Sequence, residues 1–285
     1  MQVTHPTTLV AFLTTAVPDM KRSTCKDRLR DGAVFVNGVV EHKATRALVA
    51  GDVVELRTKS ARAAIGQTLQ KGAGPVVTVL HVDDDIVVVD KPSGLLTVGA
   101  GSGGDTVLKQ LGPRLERAGG GRLFPCHRLD QGTSGVLLLP RTKAVQDFYF
   151  EHWGQTEKTY VAVVAGVVAA DAGTVDVGLI EDPVTLAVRV STSPEARAAR
   201  SHYRVLRRGR DTTLVEVRID TGRKHQIRVH MLHLGHAVVG DDRYGARRAP
   251  RLCLHARELT FPHVRTQQRM TFQAAVPPLF DTLVP

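Results

Sequence analysis

The sequence predicts an α+β protein in two parts: a large unit built on a mixed, mainly antiparallel sheet, preceded by a small α/β unit. Short β-branched runs interleave with helical stretches, without the regular strand–helix–strand alternation of a parallel fold. Asn37-Gly38 lies between two apolar pairs, the strongest short-range signal for a β-hairpin. Over 58–74 the composition shifts to Ala, Gly, Lys, Arg and Gln with little periodicity, which reads as a flexible basic linker between the parts. A chain of 285 residues suffices for one large and one small core.

The predicted boundaries are therefore 1–57, 58–74 and 75–285. In the first segment Leu9, Val10, Phe12 and Leu13 open a helical pattern, and a second helix is expected over Ser23–Arg30 with Ser23 as its cap. A strand at Ala33–Val36, the turn at Asn37-Gly38, Val39-Val40 and a closing strand at Val53–Leu56 follow. In the large segment, strands are expected at Val76–Val82 and Ile86–Asp90, joined by a solvated acidic turn, Asp83–Asp85. Helical spacing marks Thr106–Arg117 and Lys143–Trp153; strands are read at Val136–Leu139, Lys158–Val164, Ala199–Leu206 and Thr213–Asp220. A last helix runs from about Arg223 to Leu234 and stops at Gly235. The glycine-rich run at 99–104 has no following Gly-Lys-Ser/Thr and reads as a surface loop.

Basic residues outnumber acidic ones 38 to 28, for a formal charge of +10. That balance favours a polyanionic partner, nucleic acid before acidic membrane. Cys25, Cys126 and Cys253 are odd in number and widely spaced, as in a reduced cytosolic protein. The N-terminus lacks a basic-then-apolar leader pattern, and no apolar run approaches the ~18 residues of a membrane span. A cytoplasmic protein without membrane contact is expected.

The most informative stretch is His127-Arg128-Leu129-Asp130, followed by Gln131-Gly132-Thr133-Ser134-Gly135 and an apolar strand. It sets a carboxylate on a glycine-rich turn at the mouth of a sheet, where nucleophilic or electrostatic catalysis would want one. These residues alone also allow a purely structural loop, with Asp130 in an Asx-turn and the glycines at positive φ.

Further blocks decide the matter. "VVDKPSGLLT" (88–97), "HRLDQGTSGVLLLPRT" (127–142), "EKTYVAVVAG" (157–166), "TGRKHQIRVHMLHLGHAVVGDDRYG" (221–245) and "RLCLHARELTF" (251–261) occur in this order. Together they resemble the RNA pseudouridine synthases that modify large-subunit ribosomal RNA and some transfer RNAs. Residues 1–57, through the helix pair, "DGAVFVNG" and "AGDVVEL", resemble a small RNA-binding domain first recognised in a ribosomal small-subunit protein. The resemblance implies that Asp130 is the essential carboxylate. It sets Arg228, with Arg223 as second choice, against that carboxylate, and Tyr160 against the extracted base. Arg128 would stand where the flipped uridine leaves its stack; Thr133, Ser134 and His225 would contact substrate, and His127 would hold the loop. Lys21, Arg22, Lys26 and Arg28 would dock on RNA phosphates, as would about half of two arginine clusters, Arg197 to Arg210 and Arg243 to Arg251. It also implies ribosomal RNA before transfer RNA as partner; no DNA and no cofactor are expected, and a monomer is the default for a reaction that needs one active site. Lys224 departs from the family's usual Thr, Gln131-Gly132 from a commoner charged pair, and Pro262-His263 from His-Pro; the first two bear on substrate choice.

Two other classes compete with this reading. A non-catalytic RNA-binding or ribosome-assembly factor would be favoured by loss of Asp130, Tyr160 or Arg228, and all three are present. A nucleoside or glycoside hydrolase needs a second carboxylate to activate water, and none accompanies Asp130 in its block. His225, His230, His233 and His236 suggest metal ligands, but no cysteine pair or carboxylate completes a set, and no metal is expected.

Overall fold

The computed structural model describes residues 1–18, 20–30, 33–56, 77–99, 105–117, 122–245 and 247–285. The chain divides into two units: Met1–Lys71 with Val82–Asp84 and Gly112–Arg122, and Gly72–His81 with Asp85–Leu111 and Leu123–Pro285. The expected linker at 58–74 and most of the glycine-rich run at 99–104 lie outside the described residues.

The first unit carries β1 (Thr7–Thr8), α1 (Leu9–Ala16), α2 (Arg22–Arg30), β2 (Val34–Val36), β3 (Val39–Val40), β4 (Ala47–Leu48) and β5 (Val54–Leu56). Leu9 with Leu13, and Cys25 with Leu29, are spaced four apart and so share a helix face. These faces close one core against Val34, Val36 and Val54 of the sheet β3-β2-β5. Lys21, Arg22 and Lys26 stay exposed. Asn37 (φ 52°) and Gly38 (φ 76°) are both left-handed, as the two-residue hairpin turn requires. Ser23 lies inside α2 and does not cap it, contrary to expectation.

The remaining elements are β6 (Thr78–Val82), β7 (Ile86–Lys91), α3 (Val107–Arg117), β8 (Ser134–Pro140), α4 (Lys143–His152), β9 (Glu157–Ala165), β10 (Ala172–Glu181), β11 (Val188–Val190), β12 (Arg197–Arg208), β13 (Thr212–Ile219), α5 (Gln226–His233), β14 (Leu254–Pro262), β15 (Arg269–Gln273) and α6 (Pro278–Leu283). The sheet runs β11-β10-β12-β13-β9-β14-β8-β7-β6, with β15 also on β14. Strands β8 and β14 are parallel, while the pairs from β11 through β14, and β7 with β8, are antiparallel. The mixed, mainly antiparallel sheet is the one expected. Strands β10, β11, β14 and β15 were not read from sequence: charged residues and glycines break their apolar pattern, and cross-strand partners compensate.

Covered on both sides, β7 and β8 are apolar almost throughout. Ile86, Val88, Val136 and Leu138 form one core with Val145 and Tyr149 of α4. On the neighbouring strands Ala162, Val215 and Val217 pack with Ile227 and Met231 of α5. Gly135 sits at φ +116°, and a Cβ there would lie 2.1 Å from the Ala256 carbonyl oxygen. Only glycine lets β8 approach β14 this closely, and that approach sets the Asp130 loop over the sheet.

Several surface expectations need correction. Asp85 is buried, and the Arg265 guanidinium binds its carboxylate, so this end of the acidic turn is not solvated. Most of the first arginine cluster is neutralised by acids from neighbouring strands, the residue before β10 and α6: Arg200 with Asp176, Arg204 with Glu216, Arg208 with Asp171 and Arg207 with Asp281. Arg247 pairs with Asp211. These acids are remote in sequence, so the arginine runs looked unopposed. All three cysteines are free and buried. Among the described residues no helix is long and apolar enough to cross a membrane.

Candidate active site

Three elements converge on one face of the sheet: the 127–133 loop entering β8, the β9 strand and helix α5. The loop is fastened from below. Lys91, at the end of β7, is fully buried and donates to the carbonyls of Pro92 (3.1 Å), Leu95 (2.6 Å) and Gln131 (3.2 Å). Burial pushes its ammonium down to about 8, and those carbonyls replace the water it has lost. Ser93 Oγ donates to the Gly132 carbonyl at 2.7 Å, and the Gly94 N–H to that of Gln131 at 2.8 Å. His127 Nε2 accepts from the Leu138 N–H at 2.9 Å, and burial pushes its pKa down to about 3. It is a neutral loop anchor, the part expected of it.

Arg228, on α5, lies between two carboxylates. Its Nε and one Nη donate to Asp241 at 2.7 Å each, and its other Nη donates to Asp130 at 3.2 Å. The bidentate pair thus forms with Asp241, which the sequence reading missed, and Asp130 takes the remaining arm. Burial opposes ionisation of Asp241, yet hydrogen bonds from Arg228 and the N–H groups of Arg243 and Tyr244 outweigh it and hold its pKa below the ordinary range. The Asp241 side chain is 0% exposed and that of Asp130 22%, so one is structural ballast and the other faces solvent.

Tyr244 ties the arrangement together. Its ring lies 5.0 Å from the guanidinium carbon of Arg228, and its hydroxyl bonds His225 Nδ1 at 2.8 Å. His225 takes a left-handed φ of 54°, so α5 begins at Gln226 and not at Arg223 as expected. Its Nε2 comes within 3.8 Å of Asp130, while burial lowers its pKa to about 4 and leaves it neutral.

Beside Asp130 is a pocket of about 80 Å³, walled by Tyr160, Thr133, Ile219, Ile227 and Leu254. It shares Arg128, Asp130, His225 and Arg228 with an adjoining cleft of about 550 Å³. Burial, and then the Asp130 charge, push the Tyr160 phenol well above its ordinary value. Arg128 is exposed at the rim, and Arg223 is exposed with its Nε on the Ala198 carbonyl at 3.1 Å. Ser134 does not join them: its hydroxyl is taken by His255 Nδ1 (2.7 Å) and the Arg251 guanidinium (2.8 Å) beneath the loop. Arg251, expected to line an RNA groove, is likewise committed to that scaffold and to the carbonyls of Leu252 and Leu254. Of the other candidate ligands, His230 bonds Ser201 Oγ and His236 the Ala165 carbonyl.

A model of the family described as RNA pseudouridylate synthase matches residues 85–233, which include Asp130, Tyr160 and Arg228. The chain belongs to this family.

Its relatives include the ribosomal large subunit pseudouridine synthase D of Vibrio cholerae, 33% identical over 91% of this chain and 84% of that one. The dual-specificity RNA pseudouridine synthase RluA of Pasteurella multocida is 36% identical over 72% of this chain and 95% of its own. Among solved structures, human RNA pseudouridylate synthase domain containing 1 superposes with a TM-score of 0.62 at 25% identity, covering 75% of this chain and 90% of that one. Enzymes of this family isomerise uridine to pseudouridine in RNA, and this synthase does so.

In the synthase, Lys91 and Asp241 are the site residues that sequence reasoning passed over. Both lie within the family blocks, and each had a signal: a lysine closing an apolar strand before Pro92, and an acid doublet at 241–242 thirteen residues after Arg228.

Neutral imidazoles shielded from water should make the synthase acid-sensitive. His127 is held near 3, and His230 and His255 near 4, all by burial, against an ordinary 6.5. Between pH 6.5 and about 4 the unfolded chain therefore binds protons that the native one refuses. Stability should fall as pH drops through that window, each group contributing a slope of at most about 1.4 kcal/mol per pH unit. Denaturant midpoints measured across the window check this, and His255→Gln should flatten the decline. A midpoint independent of pH would show that these rings are protonated in the fold.

Proposed function

We propose that this synthase converts uridine to pseudouridine in large-subunit ribosomal RNA, as a cytoplasmic monomer that uses no metal or cofactor. The observation that carries the choice of RNA is coverage. Relatives named for the large ribosomal subunit align over 89–94% of this chain, which takes in most of the first unit, whereas the dual-specificity relative aligns over 72%.

The chemistry conserves every atom. The bond from uracil N1 to the sugar C1′ breaks, the base turns, a C5–C1′ bond forms, and the C5 proton leaves as N1 gains one. No electrons are exchanged with another molecule, so nothing beyond acid–base and charge stabilisation is required. Asp130, exposed enough to meet the sugar, supplies the carboxylate, either by attack on C1′ or by removing a sugar proton as the base departs. Arg228 is its positioning residue. Tyr160 stacks on the extracted base, and its phenol relays one proton: it gives its own toward N1 and takes the one that leaves C5, ending protonated as it began. Arg128 enters the space the uridine vacates. Arg223, His225 and Thr133 line the way in, with Arg223 on the phosphate side.

The decisive experiment maps pseudouridines in total RNA from cells with and without this gene. Loss of one or more sites in large-subunit ribosomal RNA supports the reading; losses confined to transfer RNA would move the substrate, and no loss would remove the proposal.

The first unit supplies affinity through Lys21, Arg22, Lys26 and Arg28 of the α2 region. Neutralising all four should weaken RNA binding and reduce its salt dependence by roughly one unit of slope for each phosphate that no longer meets a cation. An unchanged slope in binding isotherms over a salt series would assign that face to solvent alone.

A further inference from the structure

The turn between β10 and β11, residues 182–187, borders the cleft that holds Asp130, and Leu186 lines that cleft. Its tip presents two large apolar side chains to solvent. Val184 is 88% exposed, the most of any large apolar side chain among the described residues, and Leu186 is 52% exposed. Scattered exposed leucines need no explanation. Two held rigidly at the mouth of a site do.

The turn is braced from behind by the site itself. Lys224 Nζ binds the Glu181 carboxylate and donates to the Leu186 carbonyl at 3.2 Å. Arg243 donates to the Thr185 carbonyl at 3.2 Å, and the Val188 N–H donates to the Tyr244 hydroxyl at 2.8 Å. Tyr244 is the same residue that bonds His225 and lies against Arg228. Within the turn, Asp182 accepts from the N–H groups of Val184 (2.9 Å) and Thr185 (2.7 Å). Leu186 is left at φ +56°, a conformation leucine keeps only where its surroundings enforce it.

A fixed apolar tip flanked by Lys224, Arg243 and Arg128 suits the face of a nucleobase whose phosphates meet the cations. The cations around the tip call for a ligand that carries negative charge beside its apolar face, which an apolar peptide does not. We propose that Val184 and Leu186 form a wedge that takes the base next to the target uridine in folded RNA. The wedge props open the stack from which the uridine leaves, as apolar side chains do when they unstack a base step. Lys224, bonded to the Glu181 carboxylate and the Leu186 carbonyl, is the strut that sets its position. This inference rests on the RNA-modifying reading above.

The test uses full-length protein with Val184→Ser and Leu186→Ser together, a change confined to exposed side chains. Two RNAs carrying a mapped target are compared: the folded element, and the same element with an abasic position beside the target. On the folded RNA the double variant should lose roughly ten- to a hundredfold in single-turnover rate, since unstacking must then proceed unaided. On the abasic RNA, wild type and variant should react alike. With 2-aminopurine beside the target, binding of wild type should raise fluorescence more than binding of the variant, a readout independent of turnover. Equal rates on folded RNA, or equal losses on both RNAs, would overturn the wedge and leave the activity standing. Wild-type protein that turns over neither RNA overturns the functional reading, and the wedge with it.

Discussion

Asp130→Asn is expected to abolish isomerisation while leaving fold and RNA affinity close to wild type. The amide has the same shape but lacks the negative charge that meets the sugar centre. Loss of a central group in a cooperating set costs on the order of 10⁴–10⁶ in rate. Stability should change little, because the Asp130 side chain is 22% exposed and receives a single arm of Arg228, at 3.2 Å. The guanidinium keeps its two bonds to Asp241 in the variant, so no buried charge is orphaned. Tritium release from carbon-5-labelled uridine in RNA, measured beside a binding isotherm, checks this. Appreciable release by the Asn variant would refute Asp130 as the essential group and reopen the binding-factor and hydrolase readings.

Arg228→Ala should damage both fold and activity. Truncation leaves the Asp241 carboxylate buried, at 0% exposure, with only the backbone donors of Arg243 and Tyr244. Breaking a buried pair from one side typically costs about 3–5 kcal/mol, because the remaining charge is neither solvated nor matched. Activity should fall by at least about 10²–10³, the scale for removing one positioned electrostatic group, since Asp130 loses the guanidinium that orients it. Arg228→Lys separates the two effects. It retains the charge and should recover much of the stability, but a lysine cannot hold two carboxylates through a planar fork. Its kcat should stay low while its denaturant midpoint returns toward wild type. An Ala variant with wild-type stability and turnover would show that the Asp130–Arg228–Asp241 chain is incidental.

Much of this site is legible in the sequence. The Asp130 turn announces itself through Gln131-Gly132-Thr133-Ser134-Gly135 running into an apolar strand, and the blocks around Tyr160 and Arg228 supply its partners. The structure brings all three together around one pocket. Ser134 and Arg251 were misread for the same reason. Their polarity and motif membership gave no hint that β8 and β14 pair in parallel and turn these side chains beneath the loop. The ion pairs of the first arginine cluster were not legible, because Asp176, Glu216 and Asp281 come from other strands or from the C-terminal helix.

What the sequence by itself determined are the features whose causes are local. The Asn37-Gly38 turn follows from two residues that tolerate positive φ, and the end of α5 at Gly235 from a glycine that accepts the left-handed cap. The covered β7 and β8 strands follow from continuous β-branched and leucine runs. Only the tertiary structure decided which charges face one another. Arg228 is ninety-eight residues from Asp130 and thirteen from Asp241, yet it gives its bidentate fork to Asp241 and one arm to Asp130. Coulomb energy depends on distance through space and on how much water lies between the charges, and both are fixed by strand order and burial, not by separation along the chain.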